Sequence, residues 1–438
     1  MINKIYRVTD LGPGDGGKGG VVQALARKIN ASLVIKEGGA QGSHGVVGKN
    51  GKFAFSQWGC GTLDNVPTYI SPNFVISPIG LLNEAAALEA YDASIRPWSL
   101  LSASPSCICA TPYHQVWSQL YELILKDKPH GTVGTGVGKA YHEYCEKPPL
   151  VIYLRDMQHF ELLRKKLSAN RERVLKMYGD CSVNEVLPED AKIFEECQAL
   201  LHSEVAFEEI FEMFLKLGQL LRQDEYTAVL YKFDGKAIIE RSHGVLTDNV
   251  VGLRPHVSNL RTLPGISDMY LERAGYRGEV VDLGVHRAYE IRHGAGPIPT
   301  ADATMRSSLL PGSHKLTNRW QGEVRVGPLD LRLLKHAISL TKPWRYDGLC
   351  LTWFDQIIQN GEWQFATDYK LNGRRLPDST ELNAELLYRV EPMITTLPLP
   401  DLDREELAKW CQKFLSLYID VPVRLVSFGP APGDKLFI

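Results

Sequence analysis

Asp15 and Lys18 stand three residues apart in D-L-G-P-G-D-G-G-K-G-G, residues 10–20, where six of the eleven residues are glycine. Gly12 to Lys18 spell G-x-x-x-x-G-K, the frame of a phosphate-binding loop in which bare backbone N–H groups and one lysine meet phosphate oxygens. The next residue is Gly19, so the serine or threonine hydroxyl that ordinarily holds magnesium is missing. Asp15 is the remaining oxygen donor in the loop. A carboxylate in a phosphate cradle is repelled by its ligand unless a cation or proton intervenes. Asp15 is therefore expected to hold magnesium or to act as a general base; a solvated turn aspartate is the plain alternative. A second glycine-rich run, E-G-G-A-Q-G-S-H-G-V-V (37–47), sets His44 between Ser43 and Gly45. An imidazole among small residues can approach a transferring phosphoryl group or a developing oxyanion. The plain alternative is a surface-loop histidine.

The elements around these loops decide whether they can converge. K-I-Y-R-V-T-D-L (4–11) reads as a strand, G-V-V-Q-A-L-A-R-K-I as a helix and A-S-L-V-I-K-E-G-G as a second strand. That is a βαβ unit with the first glycine loop at its strand-to-helix turn, where N–H groups and the helix dipole favour an anion. Loops at the ends of neighbouring parallel strands meet in one crevice. Further strands are expected at 74–79, 149–154, 236–241, 278–284, 348–354 and 423–429. The stretch 157–225 reads as helical, and Phe207, Ile210, Phe211, Phe214 and Leu215 form an apolar stripe at helical spacing. The expectation is one α/β domain over 1–438: a large, mostly parallel central sheet with a P-loop-like glycine loop and helical and loop excursions.

With 438 residues, 44% of them hydrophobic, the chain can bury a large core. A formal net charge of −2 and the absence of a basic block argue against nucleic acid as a partner. Eight cysteines without a C-x-x-C pair read as reduced thiols, which with the lack of a signal-peptide core points to the cytoplasm. No apolar run approaches a membrane span.

Three more stretches carry chemistry: G-T-V-G-T-G-V-G-K-A-Y (131–141), G-V-H-R-A-Y-E-I-R-H-G-A-G-P-I-P-T (284–300) and N-R-W-Q-G-E-V-R-V-G-P-L-D (318–330). Taken in order, the blocks resemble the adenylosuccinate synthetase family. Its G-D-E-G-K-G-K corresponds to Gly14–Gly20 and its G-G-x-N-A-G-H-T to Gly38–Gly45. Its G-T-T-G-R-G-I-G-P-A-Y corresponds to Gly131–Tyr141, and its K-A-Y-T-T-R-V-G-x-G-P-F-P-T to Arg287–Thr300. Its S-T-G-P corresponds to Ser427–Pro430. The resemblance implies a two-step ligation. Asp15 removes the N1 proton of inosine 5′-monophosphate (IMP), oxygen 6 attacks the γ-phosphate of GTP, and His44 stabilises and protonates at that stage. The amino group of aspartate then displaces the 6-phosphoryl group. It also implies nucleotide phosphate contacts at Gly14, Gly17, Lys18, Gly19, Ser43 and Gly45, and magnesium at Asp15 and the Ser43 backbone. IMP contacts fall on Gln41, Val133, Lys147, His243 and Ser258, with Lys147 donated across a homodimer. Arg325 and Arg319 are the matches for the amino-acid substrate.

Several positions depart from the family pattern. Its asparagine becomes Gln41, the second threonine of G-T-T-G becomes Val133, and the glutamine of E-G-A-Q-G becomes His243. Its guanine-reading T-K-x-D is matched to Thr341-Lys342-Pro343-Trp344, which puts an indole in place of the carboxylate beside Ser427 and Gly429. Trp344 cannot accept from guanine N1 and N2, so ATP stands beside GTP as the expected triphosphate. The alternatives are a divergent ATP-using ligase with another purine or amine, or a non-catalytic nucleotide-binding protein.

Overall fold

The computed structural model describes residues 1–126, 131–310 and 317–438. Eleven strands form the central sheet. They are β1 (Ile2–Asp10), β2 (Leu33–Gly39), β3 (Thr68–Ile76), β4 (Leu101–Ala103), β5 (Ile108–Cys109), β6 (Arg222–Gln223), β7 (Gly235–Gly244), β8 (Glu279–Arg287), β9 (Gly348–Thr352), β10 (Val423–Ser427) and β11 (Lys435–Phe437). The order is β11-β10-β9-β8-β1-β7-β2-β3-β4-β6, with β5 beside β3. Every pairing is parallel except β10 with β11. β1 lies near the middle, and its last residue, Asp10, registers with Gly244 of β7 and Val285 of β8.

All seven residues of β2 and all five of β9 are buried, as expected of strands covered on both faces. Alternate residues of β9 feed opposite cores: Cys350 joins one apolar cluster, Leu349 and Leu351 the other. Helix α1 (Lys18–Ile29) turns Val21, Val22, Leu25, Ala26 and Ile29 inward. Its N-cap is Gly17, at φ 89°, and no side chain caps that end.

The region 157–225 is mainly helical, with helices at Phe160–Tyr178, Ala191–His202 and Glu204–Leu220. Phe207, Ile210, Phe211 and Phe214 are buried there in the same cluster as Val8 and Val34. The expected strand at 149–154 does not form. Pro148 opens a 3-10 turn, and the segment joins β5 at an isolated antiparallel bridge between Ile108 and Tyr153, with backbone bonds from Cys109 N to Ile152 O (2.9 Å) and from Leu154 N to Cys107 O (2.9 Å). Among the described residues no helix is long and apolar enough to cross a membrane.

Candidate active site

The carboxyl ends of β1, β2, β7, β8, β9 and β10 point the same way, so their following loops share one edge of the sheet. The loop after β1 is held from beneath by Asp10. Its Oδ1 accepts from Gly12 N (2.9 Å), and its Oδ2 accepts from Gly16 N (2.7 Å) and Lys18 Nζ (2.8 Å). Neighbouring strands grip the loop backbone. Thr352 Oγ1 donates to Gly16 O (2.6 Å), Leu246 N to Gly12 O (3.1 Å) and Arg287 Nε to Asp15 O (2.6 Å). Asp15 sits in the left-handed region at φ 57°, its carboxylate partly exposed and paired with His293 Nε2 at 2.8 Å. The absence of a side chain at 19 has a steric cause. A Cβ on Gly19 would lie 2.5 Å from Gly45 O, so the two glycine loops touch where a P-loop hydroxyl would stand.

The second loop brings His44 to the same place. His44 is buried, and its Nδ1 lies 2.5 Å from Glu240 Oε1 on β7. That carboxylate also holds Lys36 Nζ at 2.9 Å, and its other oxygen accepts from Cys60 N at 2.8 Å. The pair with Lys36 and the bond to His44 keep Glu240 well below the usual carboxylate range against the cost of burial. Burial first, and then the Lys36 charge, push His44 down to about 4. The ring is neutral at pH 7, with its proton on the Nδ1 that faces Glu240, and Nε2 is left as its reactive nitrogen. His243, at φ 62°, adjoins this group, with Gln41 Nε2 at 2.6 Å from its Nε2; burial and the nearby Lys18 push it to about 4.

Beyond α1 the β10 end supplies Ser427, whose Oγ donates to Gly429 O (3.0 Å), and Lys435 closes over Gly20. A separate ribbon, Glu290–Arg292 against Arg325–Gly327, places Arg292 directly opposite Arg325. Arg325 donates to Gly294 O (2.7 Å), and Arg292 to Ala295 O (3.0 Å) and His256 O (3.1 Å). Among the described residues neither pairs with a carboxylate. Burial, and then Arg325, lower Arg292 to about 10. Like charges placed opposite one another on a ribbon repel, so the pair suits an anion.

A family model described as adenylosuccinate synthetase matches residues 8–435. The chain belongs to the adenylosuccinate synthetase family. It is a carbon–nitrogen ligase of purine nucleotide biosynthesis, joining L-aspartate to IMP, and its family binds IMP, GTP and aspartate and uses magnesium. It is 30% identical to adenylosuccinate synthetase 1 of Pseudoalteromonas translucida, over 97% of this chain and 96% of that one. It is 27% identical to the Methylibium petroleiphilum adenylosuccinate synthetase, over 95% and 93%. The fold resembles fully ligated adenylosuccinate synthetase from Plasmodium falciparum (TM-score 0.75, 19% identity, 99% of each chain). It also resembles the cyanophage S-2L succinoaminodeoxyadenylate synthetase bound to dGMP and dATP (TM-score 0.60, 13% identity, 100% of this chain and 96% of that one). The family model and the curated relatives are named for the ligase, which gives no support to a non-catalytic role.

The geometry corrects one motif assignment for this synthetase. Lys342 and Trp344 precede β9, at the amino edge of the sheet, whereas Ser427 ends β10 and Gly429 follows it at the carboxyl edge. Lys342 is exposed. The Trp344 indole lies against Gly265, where a Cβ would come within 2.7 Å of it, and its Nε1 donates to Asp268. These two residues do not join Ser427. A second T-x-x-D, Thr352-Trp353-Phe354-Asp355, does stand at the carboxyl edge. Trp353 is at φ 57° with the Arg287 guanidinium 4.2 Å from its ring, and Gln356 Nε2 donates to Asp355 Oδ2 at 2.7 Å. The expected strand 348–354 hid this motif by running two residues too far. Arg319 is also drawn elsewhere: its guanidinium pairs with Asp190 at the start of the Ala191–His202 helix. Val133 lies in the third glycine loop, whose Gly131 and Thr132 N–H groups donate to Glu122 (3.3 and 3.4 Å). Lys147 is exposed after the Val137–Glu146 helix, and Ser258 caps a turn by accepting from Leu260 N (3.2 Å). Asp10, Glu240 and Lys36 carried no motif in the sequence. A strand-end acid two residues before the glycine run was the one available signal for Asp10.

Proposed function

We propose that this synthetase works through Asp15, Lys18 and His44 in the crevice between the β1 and β2 loops, with GTP as its triphosphate. The observation that supports the reading is the meeting of the two glycine loops, where a Cβ on Gly19 would lie 2.5 Å from Gly45 O, so the loop that carries Asp15 and Lys18 adjoins the loop that carries His44. Asp15 takes the N1 proton of IMP, and the electron pair moves to oxygen 6, which attacks the γ-phosphorus as its bond to the bridging oxygen breaks and GDP leaves. The aspartate amino group then attacks carbon 6, loses a proton, and expels oxygen 6 as inorganic phosphate. Lys18 and the uncapped N–H groups of α1 hold the phosphates, together with backbone at Gly14, Gly17, Gly19, Ser43 and Gly45. A phosphoryl dianion beside His44 favours its protonation, after which Nε2 donates to the transferring oxygens. The partly exposed Asp15 carboxylate and the Ser43 carbonyl are hard oxygen donors suited to magnesium, which when bound would neutralise phosphate charge. Asp355 reads guanine N1 and N2, and Ser427 and Gly429 flank the base. Arg325 with Arg292 takes the aspartate carboxylates. Gln41, Val133, His243 and Ser258 line the IMP site, and Lys147 reaches it from a second subunit of a cytoplasmic, single-domain homodimer.

The test is Asp15→Asn. Arg287 holds the backbone carbonyl of residue 15, so the loop keeps its shape. Product formation from IMP, aspartate and GTP is expected to fall by about 10²–10⁴-fold with the melting temperature unchanged. Turnover within about threefold of wild type overturns the assignment.

A further inference from the structure

Asp10 is fully buried at the end of β1, and three donors converge on its carboxylate: Gly12 N, Gly16 N and Lys18 Nζ. These are the groups a phosphate-binding loop ordinarily turns toward its ligand. Three glycines make the room. A Cβ on Gly16 would lie 2.7 Å from Asp10 Oδ2, one on Gly244 would lie 2.9 Å from Oδ1, and one on Gly12 3.4 Å from it. Asp10 and Gly16 are linked in a second way. The family run quoted above, G-D-E-G-K-G-K, has glutamate where this chain has Gly16. The three nearest atoms to a Cβ there all belong to the Asp10 carboxylate, so a side chain at 16 requires that carboxylate to move from the place where it holds Lys18. The loop carries one carboxylate in this space, supplied from the strand instead of from the loop.

We propose that Asp10 is the positioning residue for Lys18, fixing the loop and its ammonium before nucleotide arrives. A lysine head group on a four-carbon stem has many rotamers, and each must be excluded for it to meet the transferring phosphate. Asp10 cannot leave to make way for phosphate, because it is part of the sheet. Lys18 therefore bridges it to the incoming anion. The same carboxylate opposes ground-state phosphate binding, so its benefit lies in orientation and its cost in affinity.

The inference rests on the ligase reading, and wild-type activity tests that reading separately from the variants. The experiment compares Asp10→Asn and the exchange Asp10→Gly/Gly16→Glu with wild type, measuring kcat, KM for GTP and melting temperature. Asp10→Asn is expected to lose about tenfold or more in kcat per folded molecule, with KM for GTP unchanged or lower. The exchange variant moves the carboxylate back into the loop and is expected to recover most of that loss. Should Asp10→Asn not fold, the exchange variant decides: folded and within about tenfold of wild-type kcat supports the proposal, folded and slower than that contradicts it. A folded Asp10→Asn with kcat within about threefold of wild type, or a loss confined to a raised KM, overturns it.

Discussion

Asp355→Ala tests where the base of the triphosphate is read. Asp355 lies in the first turn of the Phe354–Asn360 helix, at the carboxyl edge that also carries Ser427, and Gln356 fixes one of its oxygens at 2.7 Å. Guanine offers N1–H and N2–H to such a carboxylate; adenine offers an acceptor at N1 and nothing at C2. Hydrogen bonds to a charged group contribute about 1.5–3 kcal/mol each. The site is partly open to water, so two of them together are taken as roughly 2.7 kcal/mol, or about a hundredfold. Wild type is expected to prefer GTP over ATP by at least about that factor in kcat/KM with IMP and aspartate. Asp355→Ala is expected to lose about a hundredfold with GTP and to change by less than about threefold with ATP. Trp344→Ala, at the opposite edge of the sheet, is expected to leave the ratio alone. A GTP preference that survives Asp355→Ala, or collapses in Trp344→Ala, refutes the reasoning.

Two further outcomes follow from the site. The His44 imidazole is held at about 4 against an unfolded value of 6.5, so the unfolded chain binds the extra proton between those values. Its contribution is complete above pH 6.5 and is lost as pH falls toward 4, about 2 kcal/mol of it by pH 5. Glu290 and Asp330, pushed by burial up to about 8 and 7, act in the opposite sense as pH rises, so the His44 part is isolated against His44→Gln. Urea denaturation at pH 8 and pH 5 should show wild type losing about 2 kcal/mol more than the variant; equal losses would remove the buried neutral imidazole from the account. Arg325→Ala should raise KM for aspartate by about 10–100-fold through loss of one guanidinium–carboxylate pair while KM for IMP holds; an unchanged aspartate KM in the steady-state assay would place the amino acid elsewhere.

What the sequence reveals about this site follows from how local each feature is. The G-x-x-x-x-G-K frame and the strand and helix around it are consecutive, so Asp15, Lys18 and the uncapped start of α1 are legible from a dozen residues. His44 is legible as a loop imidazole, but its partner Glu240 lies 196 residues further on and meets it only because β7 runs beside β2. Lys36 carries no local signal within its strand, yet it is buried against that same carboxylate. Arg292 and Arg325 become a pair through antiparallel register, which spacing alone does not encode. Trp344 and Asp355 show how a boundary decides a motif. Both T-x-x-x stretches flank β9, and only the one after its last residue, Thr352, reaches the crevice. The strand expected at 149–154 is cut from both ends: a 3-10 turn opened by Pro148 takes Pro149 and Leu150, a second begins at Leu154, and the residues between make only an isolated bridge.

The most direct test of the account uses IMP labelled with ¹⁸O at oxygen 6, incubated with the protein, GTP, magnesium and aspartate. If oxygen 6 is phosphorylated and then displaced by the amino group, the label leaves in inorganic phosphate, one atom for each adenylosuccinate formed, and no label is released when any of the three substrates is omitted. Phosphate released without the label, or released from GTP in the absence of IMP and aspartate at the same rate, would contradict it.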